Sequence, residues 1–158
     1  MGATDLEIAE AFAQFRRGDL GAAEALLADL PSQPSALHLM GILRVRQGRV
    51  AEAASFLARS VALQPREAQA QVNYAKVLIA LGRHAEAEAA LRMALAHEGD
   101  HAEASLALAT LLHGLGRFEE AQAAWRATLA LRPHDGTVKL GLGDALARTG
   151  RNRDAVAM

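Results

Sequence analysis

The sequence predicts an all-α protein, a solenoid of stacked helical hairpins, on three observations. Glycines recur at a fixed interval, Gly48, Gly82, Gly116 and Gly150 each standing 34 residues apart. Small residues recur at fixed offsets from those glycines. Alanine is abundant while aromatic residues make up only 4% of the chain, so an interior must be built from small and aliphatic side chains at close backbone spacing, which suits helices packed on helices. Self-similarity at a period of this length marks units that bury their apolar faces against their neighbours.

Within each unit the glycine ends a first helix, because a left-handed residue there lets the chain reverse. Seven residues before it stand Gly41, Ala75, Ala109 and Gly143, and five residues after it Ala53, Ala87, Ala121 and Ala155. Two helices of one hairpin approach closely only where side chains are small, so these positions are expected to face each other. Each glycine is followed by an arginine (Arg49, Arg83, Arg117, Arg151), and an acid (Glu52, Glu86, Glu120, Asp154) precedes each alanine of the second set. A large residue follows on the second helix at Leu57, Leu91 and Trp125, then a small one at Ser60, Ala94 and Thr128. The unit closes at Pro65, Gly99 or Pro133. Apolar residues at helical spacing (Met40 and Leu43; Leu78 and Leu81; Leu108, Leu111 and Leu112; Leu142 and Leu146) are expected to fill the space between hairpins. All four prolines (Pro31, Pro34, Pro65, Pro133) fall at junctions, where a helix must stop.

The two ends depart from the pattern. Gly18 lies only 30 residues before Gly48, so the first unit is short by about one helical turn and Pro31 ends its second helix early. Its first helix is expected to begin at Thr4, since Thr4-Asp5-Leu6-Glu7 has the spacing of a capping box. In the last unit a first helix over 136–149 is whole, but the second begins near Asn152 and stops at Met158, which reads as a piece of a longer protein whose apolar flank at Leu142, Leu146 and Val156 lacks a cover. The chain is expected to form one domain, 1–158, with units over 4–33, 34–67, 68–101, 102–135 and an incomplete 136–158.

This period, with these residues at these offsets, resembles the tetratricopeptide-repeat (TPR) family of helix-turn-helix units. The resemblance implies about four and a half repeats wound into a right-handed superhelix, and a concave groove lined by the first helices that holds a protein or peptide ligand. Carried over by register, the groove would present Ile8, Phe12, Phe15 and Arg16 from the first unit and His38, Ile42, Val45 and Arg46 from the second. The third would give Val72, Asn73, Lys76 and Ile79, the fourth Glu103, Leu106, Thr110 and His113, and the fifth Leu140, Asp144 and Arg148. Such a surface, apolar with interleaved charges, is expected to take apolar anchors. Glu7 and Glu10 depart from the family pattern, which has large apolar residues there. The clamp by which TPR co-chaperones grip chaperone carboxyl termini is absent, since of its positions only Asn73 matches. The asparagine ladder of arrays in O-linked N-acetylglucosamine transferases is missing too, with Leu39, Ala107 and Gly141 at the positions equivalent to Asn73. Two alternatives stand beside the scaffold reading: the amino-terminal array of a multidomain enzyme of glycosyltransferase or sulfotransferase type, and a self-assembly module stacking through its open carboxyl-terminal end.

Other classes find little support. The formal net charge is -1, with 17 basic and 18 acidic residues spread along the chain, so no block of one sign tracks a nucleic-acid backbone or an anionic membrane. There are no cysteines to ligate metal or form disulfides. Met1-Gly2-Ala3-Thr4-Asp5 lacks the flank and apolar run of a secretory signal, no stretch reaches the length of a membrane span, and a cytoplasmic location is expected. His97-Glu98-Gly99-Asp100-His101 satisfies H-E-x-x-H, a zinc signature that needs both histidines on one helix. The register instead puts a helix break at Gly99. His38, His84, His113 and His134 are dispersed over the units, and Gly141-Leu142-Gly143 lies inside a helix with no preceding strand, so it is no phosphate loop. No cofactor, metal or catalytic residue is expected.

Overall fold

The structure, a computed structural model, describes residues 3–150. Among them are nine α-helices and no strands: α1 Ala3–Arg17, α2 Leu20–Ala28, α3 Pro34–Arg46, α4 Val50–Leu63, α5 Ala68–Ala80, α6 His84–His97, α7 Ala102–Gly114, α8 Phe118–Leu131 and α9 Gly136–Arg148. They form four hairpins (α1/α2, α3/α4, α5/α6, α7/α8) followed by α9. The fold is the TPR-type solenoid that the sequence predicts.

The turn inside each hairpin is built the same way. Gly48 has φ +75°, its N–H donates to the carbonyl of Val45, and the N–H of Arg49 reaches back to the carbonyl of Arg44 at 2.8 Å. This pair of bonds closes a helix with a left-handed glycine. Gly82 and Gly116 repeat it, with Arg83 reaching Leu78 and Arg117 reaching Leu112. The arginine after the glycine then folds onto the acid three residues on, in Arg49–Glu52, Arg83–Glu86 and Arg117–Glu120. That pairing explains why arginine and acid recur together in the sequence.

Close approach within a hairpin is clearest at Gly41, where an added Cβ would stand 2.5 Å from Leu57 Cγ and 3.4 Å from the carbonyl oxygen of Ala53. The expected facing of Gly41 and Ala53 therefore holds, with Leu57 closing the gap. Gly143 has Ala155 as its expected opposite, which lies outside the described residues.

Three expectations need correction. Helix α1 is already formed at Ala3, so Thr4 sits inside it and does not cap it. Leu81 is 38% exposed, because it follows the last helical residue of α5 and helical spacing no longer aims it inward. Leu142 and Leu146 are buried in the cluster that includes Trp125, so these two are not the uncovered residues that the sequence suggests. Val156 lies outside the described residues.

The backbones of the first helices α1, α3, α5, α7 and α9 each approach the next, whereas the backbones of the second helices stand apart among the described residues, α6 and α8 meeting only through the long side chains of Arg92 and Glu120. A stack tight on one side and splayed on the other must curve toward its tight side, so the first helices line the inner surface. The apolar interior falls into three clusters. One lies in the first hairpin and the start of α3 (Ala11, Leu27, Leu30, Ala36, Leu39, Met40), a small one centres on Leu57 and Val77, and a large one runs from α5 to α9.

The seam between the first two hairpins is polar. Arg44 stands four residues before Gly48, where the later units have Leu78, Leu112 and Leu146, all buried. Arg44 is buried as well, and its guanidinium donates to Glu24 at 2.6 Å and to Gln47 at 2.6 Å while lying over the Phe56 ring. Those donors, Arg44 first and Gln47 second, bring the Glu24 carboxyl down to about 2 from the ordinary 4.5. No helix among the described residues is long and apolar enough to cross a membrane.

Candidate functional site

The inner surface is formed by one face of each first helix. Residues four, seven and eight apart share a helix face, and this spacing brings most of the expected groove residues together. Phe12, Val45, Arg46, Lys76, Thr110, Leu140, Asp144 and Arg148 are exposed there, and Ile8, Phe15, His38, Ile42, Asn73, Ile79, Leu106 and His113 are half-buried. Arg16 is exposed at the end of α1. Val72 is the exception. It is fully buried, as are Ala68 four residues before it and Ala75 three residues after it, so it lies on the core stripe of α5 and meets no ligand.

Polar contacts stitch each first helix to the next. From α1 to α3, the Arg46 guanidinium lies 4.8 Å over the Phe15 ring. From α3 to α5, Asn73 Nδ2 and His38 Nε2 stand 2.8 Å apart; burial pushes the imidazole below its usual pKa despite the opposing charge of Glu67, which keeps it neutral for this bond. From α5 to α7, Lys76 ion-pairs with Glu103, which also accepts from Gln69 at 3.0 Å. Those donors, Lys76 foremost, hold the Glu103 carboxyl below the usual carboxylate range against the effect of burial. From α7 to α9, His113 Nε2 meets Asp144 at 2.9 Å, with the Arg148 guanidinium 3.5 Å from the same carboxylate oxygen. The Thr110 hydroxyl is occupied by its own helix, donating to the Leu106 carbonyl. Much of the polar equipment that the sequence offers to a ligand is thus engaged between helices.

What stays open between the central first helices is apolar. Between α5 and α7 lies a hollow of about 470 Å³ walled by Ile79, Leu106, Ala107 and Leu111, with Lys76 and Glu103 at its edge. A second, of about 190 Å³, lies between α3 and α5 against Ile42, Val45, Val50 and Val77. Lys76 borders both. The register alone did not single out Ala80 and Gly114, which line one hollow each. Their signal was present, since both stand two residues before a turn glycine, where Arg16, Arg46 and Arg148 stand in the other units.

The zinc-like pentapeptide is split. His97 is the last residue of α6, whereas His101 caps α7, its Nδ1 accepting the Ala104 N–H at 3.2 Å. Among the described residues no group of three or more histidines or acids is placed to hold a metal ion. Gly141, the first glycine of Gly141-Leu142-Gly143, is a packing glycine set against the Trp125 ring.

An all-helical repeat array with a continuous inner surface defines an interaction scaffold, in which units contact only their neighbours and present an extended face. Three family models, each for tetratricopeptide repeats, match residues 6–29, 44–111 and 106–157, and the chain belongs to the tetratricopeptide-repeat family. Among solved structures it is similar to the MamA protein, with a TM-score of 0.87 at 20% identity over 98% of this chain and 86% of that one. It is also similar to MamA residues 41 to the end from Desulfovibrio magneticus RS-1, with a TM-score of 0.84 at 22% identity over 99% and 92% of the two chains. At such identities the likeness is one of fold. No curated protein matches the chain significantly.

Proposed function

We propose that the chain is a non-catalytic scaffold that holds a segment of another protein on its first-helix surface, through apolar anchors seated in the two hollows. The observation that carries this reading is the pair of adjacent apolar hollows bordered by Ile42, Val45, Ile79 and Leu106, on a surface whose charges are largely paired between helices. Burying apolar side chains there contributes about 25 cal/mol per Å², less the cost of ordering the ligand. Ion pairing sets orientation more than affinity.

A partner should therefore respond to Ile42→Glu and Ile79→Glu, which line the hollows, more than to Lys76→Ala, and its affinity should depend only modestly on salt. The control is Met93→Glu, an exposed apolar residue on the second helix α6. Each variant is checked by circular dichroism, and partner affinity by titration calorimetry. Binding that survives both isoleucine substitutions, or that is lost at Met93, places the site on another face and refutes the reading.

A further inference from the structure

Two residues before each turn glycine, along the rim where the first helices end, stand Arg16, Arg46, Ala80, Gly114 and Arg148. All five are exposed. Cations thus occupy the outer positions and the smallest residues the middle ones. The small pair has a structural consequence, because the two hollows open at Ala80 and Gly114, and a Cβ added at Gly114 would meet nothing within 4 Å among the described residues. An arginine at either place would overhang the hollow beside it.

The charge along the surface follows the same division. At the centre, Lys76 is neutralised by Glu103 and His38 is held neutral by burial. At one end, Arg46 lies on the Phe15 ring with no carboxylate partner among the described residues. At the other, Arg148 is 61% exposed at its side chain and has Asp144 only at 3.5 Å, an acid it shares with His113. Both guanidinium groups keep donors free to meet a ligand.

We infer that the occupant of this surface is an extended protein segment with two apolar anchors at its centre and carboxylate side chains at both ends. The inference rests on the groove reading above and adds the chemistry of the partner. Packed helices lie about 8–10 Å apart, so the three steps from α3 to α9 span roughly 24–30 Å. At about 3.1–3.3 Å per residue in an extended or polyproline-II chain, that is a segment of about eight or nine residues. The hollows are one helix step apart, which matches side chains three residues apart on a polyproline-II segment, about 9 Å.

The test uses a fluorescein-labelled nine-residue peptide with two central leucines three residues apart and two glutamates at each end. One comparison peptide carries lysines in place of the glutamates, and another serines in place of the leucines. Fluorescence anisotropy with the full chain should show the glutamate peptide binding at least about tenfold more tightly than either comparison peptide. The double variant Ala80→Leu/Gly114→Leu, which fills the hollows at exposed helical positions, should lose about tenfold or more in affinity while keeping its helical signal and melting temperature. Arg46→Glu/Arg148→Glu should reverse the preference toward the lysine peptide. Equal binding of the glutamate and lysine peptides, abolished by filling the hollows, overturns the charge assignment and leaves the groove reading standing. Binding indifferent to the filled hollows, or no binding of any peptide, overturns both.

Discussion

The Trp125 ring occupies the space that a side chain at Gly141 would need: a Cβ there would stand 2.5 Å from Cζ2 and 2.6 Å from Cε2 of the indole. Helix α9 thereby settles onto α8 with backbone against ring. Two positions further along α9, a Cβ at Gly143 would meet nothing within 4 Å among the described residues, and the equivalent positions carry Ala75 and Ala109.

The two glycines should therefore respond oppositely to alanine. At Gly143 the gain in helix propensity, about 0.5–1 kcal/mol, should appear as added stability. At Gly141 the same gain is set against overpacking of about 1–3 kcal/mol, so Gly141→Ala should be destabilising. Urea denaturation of the two variants checks the signs, and two stabilised proteins would mean that the ring does not sit where the structure has it.

Trp125 itself is 4% exposed and belongs to the largest apolar cluster. Its emission should be that of a buried indole, shifting to the red on unfolding. Truncation to alanine should cost about 3–5 kcal/mol, read by circular dichroism since the fluorophore is gone.

At the seam between the first two hairpins, Arg44→Leu should be neutral or stabilising, by up to about 4 kcal/mol, because a buried ion pair gives way to the residue found in the later units. Glu24→Ala should instead destabilise by about 1–3 kcal/mol, leaving the buried guanidinium short of its carboxylate. Because the Glu24 carboxyl is lowered to about 2 from 4.5, its contribution is complete above about pH 4.5 and is lost as pH falls toward 2. Its side chain is 35% exposed, so solvent screening limits that contribution to about 1 kcal/mol. The advantage of Arg44→Leu over the parent should widen by this amount between about pH 6 and about pH 2.5, and a constant difference would show that Glu24 is not held by Arg44.

His97 and His101 should behave as unrelated residues. His101→Ala removes a helix cap and should cost about 1 kcal/mol, while His97→Ala, at an exposed helix end, should change little. Added zinc should leave the melting temperature of the parent unchanged. A rise with zinc that either substitution abolishes would restore the metal reading.

The architecture was legible because its determinants are local and repeated. A left-handed glycine, a small residue facing a small residue, and an apolar residue at helical spacing each leave a mark at the same offset in every unit. The features missed are those that depend on which side of a helix a single residue finally faces, or on a pairing between units. Val72 reads as a groove residue by register, yet its stripe with Ala68 and Ala75 turns inward. Lys76 and His113 look available to a ligand in the sequence, and their engagement by Glu103 and Asp144 appears only once consecutive first helices lie side by side. Arg44 lies in a run that otherwise reads as apolar, and only its pairing with Glu24 of the preceding hairpin shows why a charge is tolerated there.

The division of the apolar interior into separate clusters also decides what optical measurements of this protein can see. The chain has one tryptophan and one tyrosine. Trp125 belongs to the cluster spanning α5 to α9, Tyr74 packs where that cluster meets the one around Leu57, and neither ring is part of the cluster of the first hairpin. Since the units of such a stack interact only with their neighbours, each ring is a local witness: indole emission follows the far end of the stack, and tyrosine absorbance its middle. Departure of the first hairpin is silent to both and registers only as lost helical ellipticity. A melt followed by emission alone thus measures one end of the molecule, and any ellipticity lost ahead of it belongs to the other.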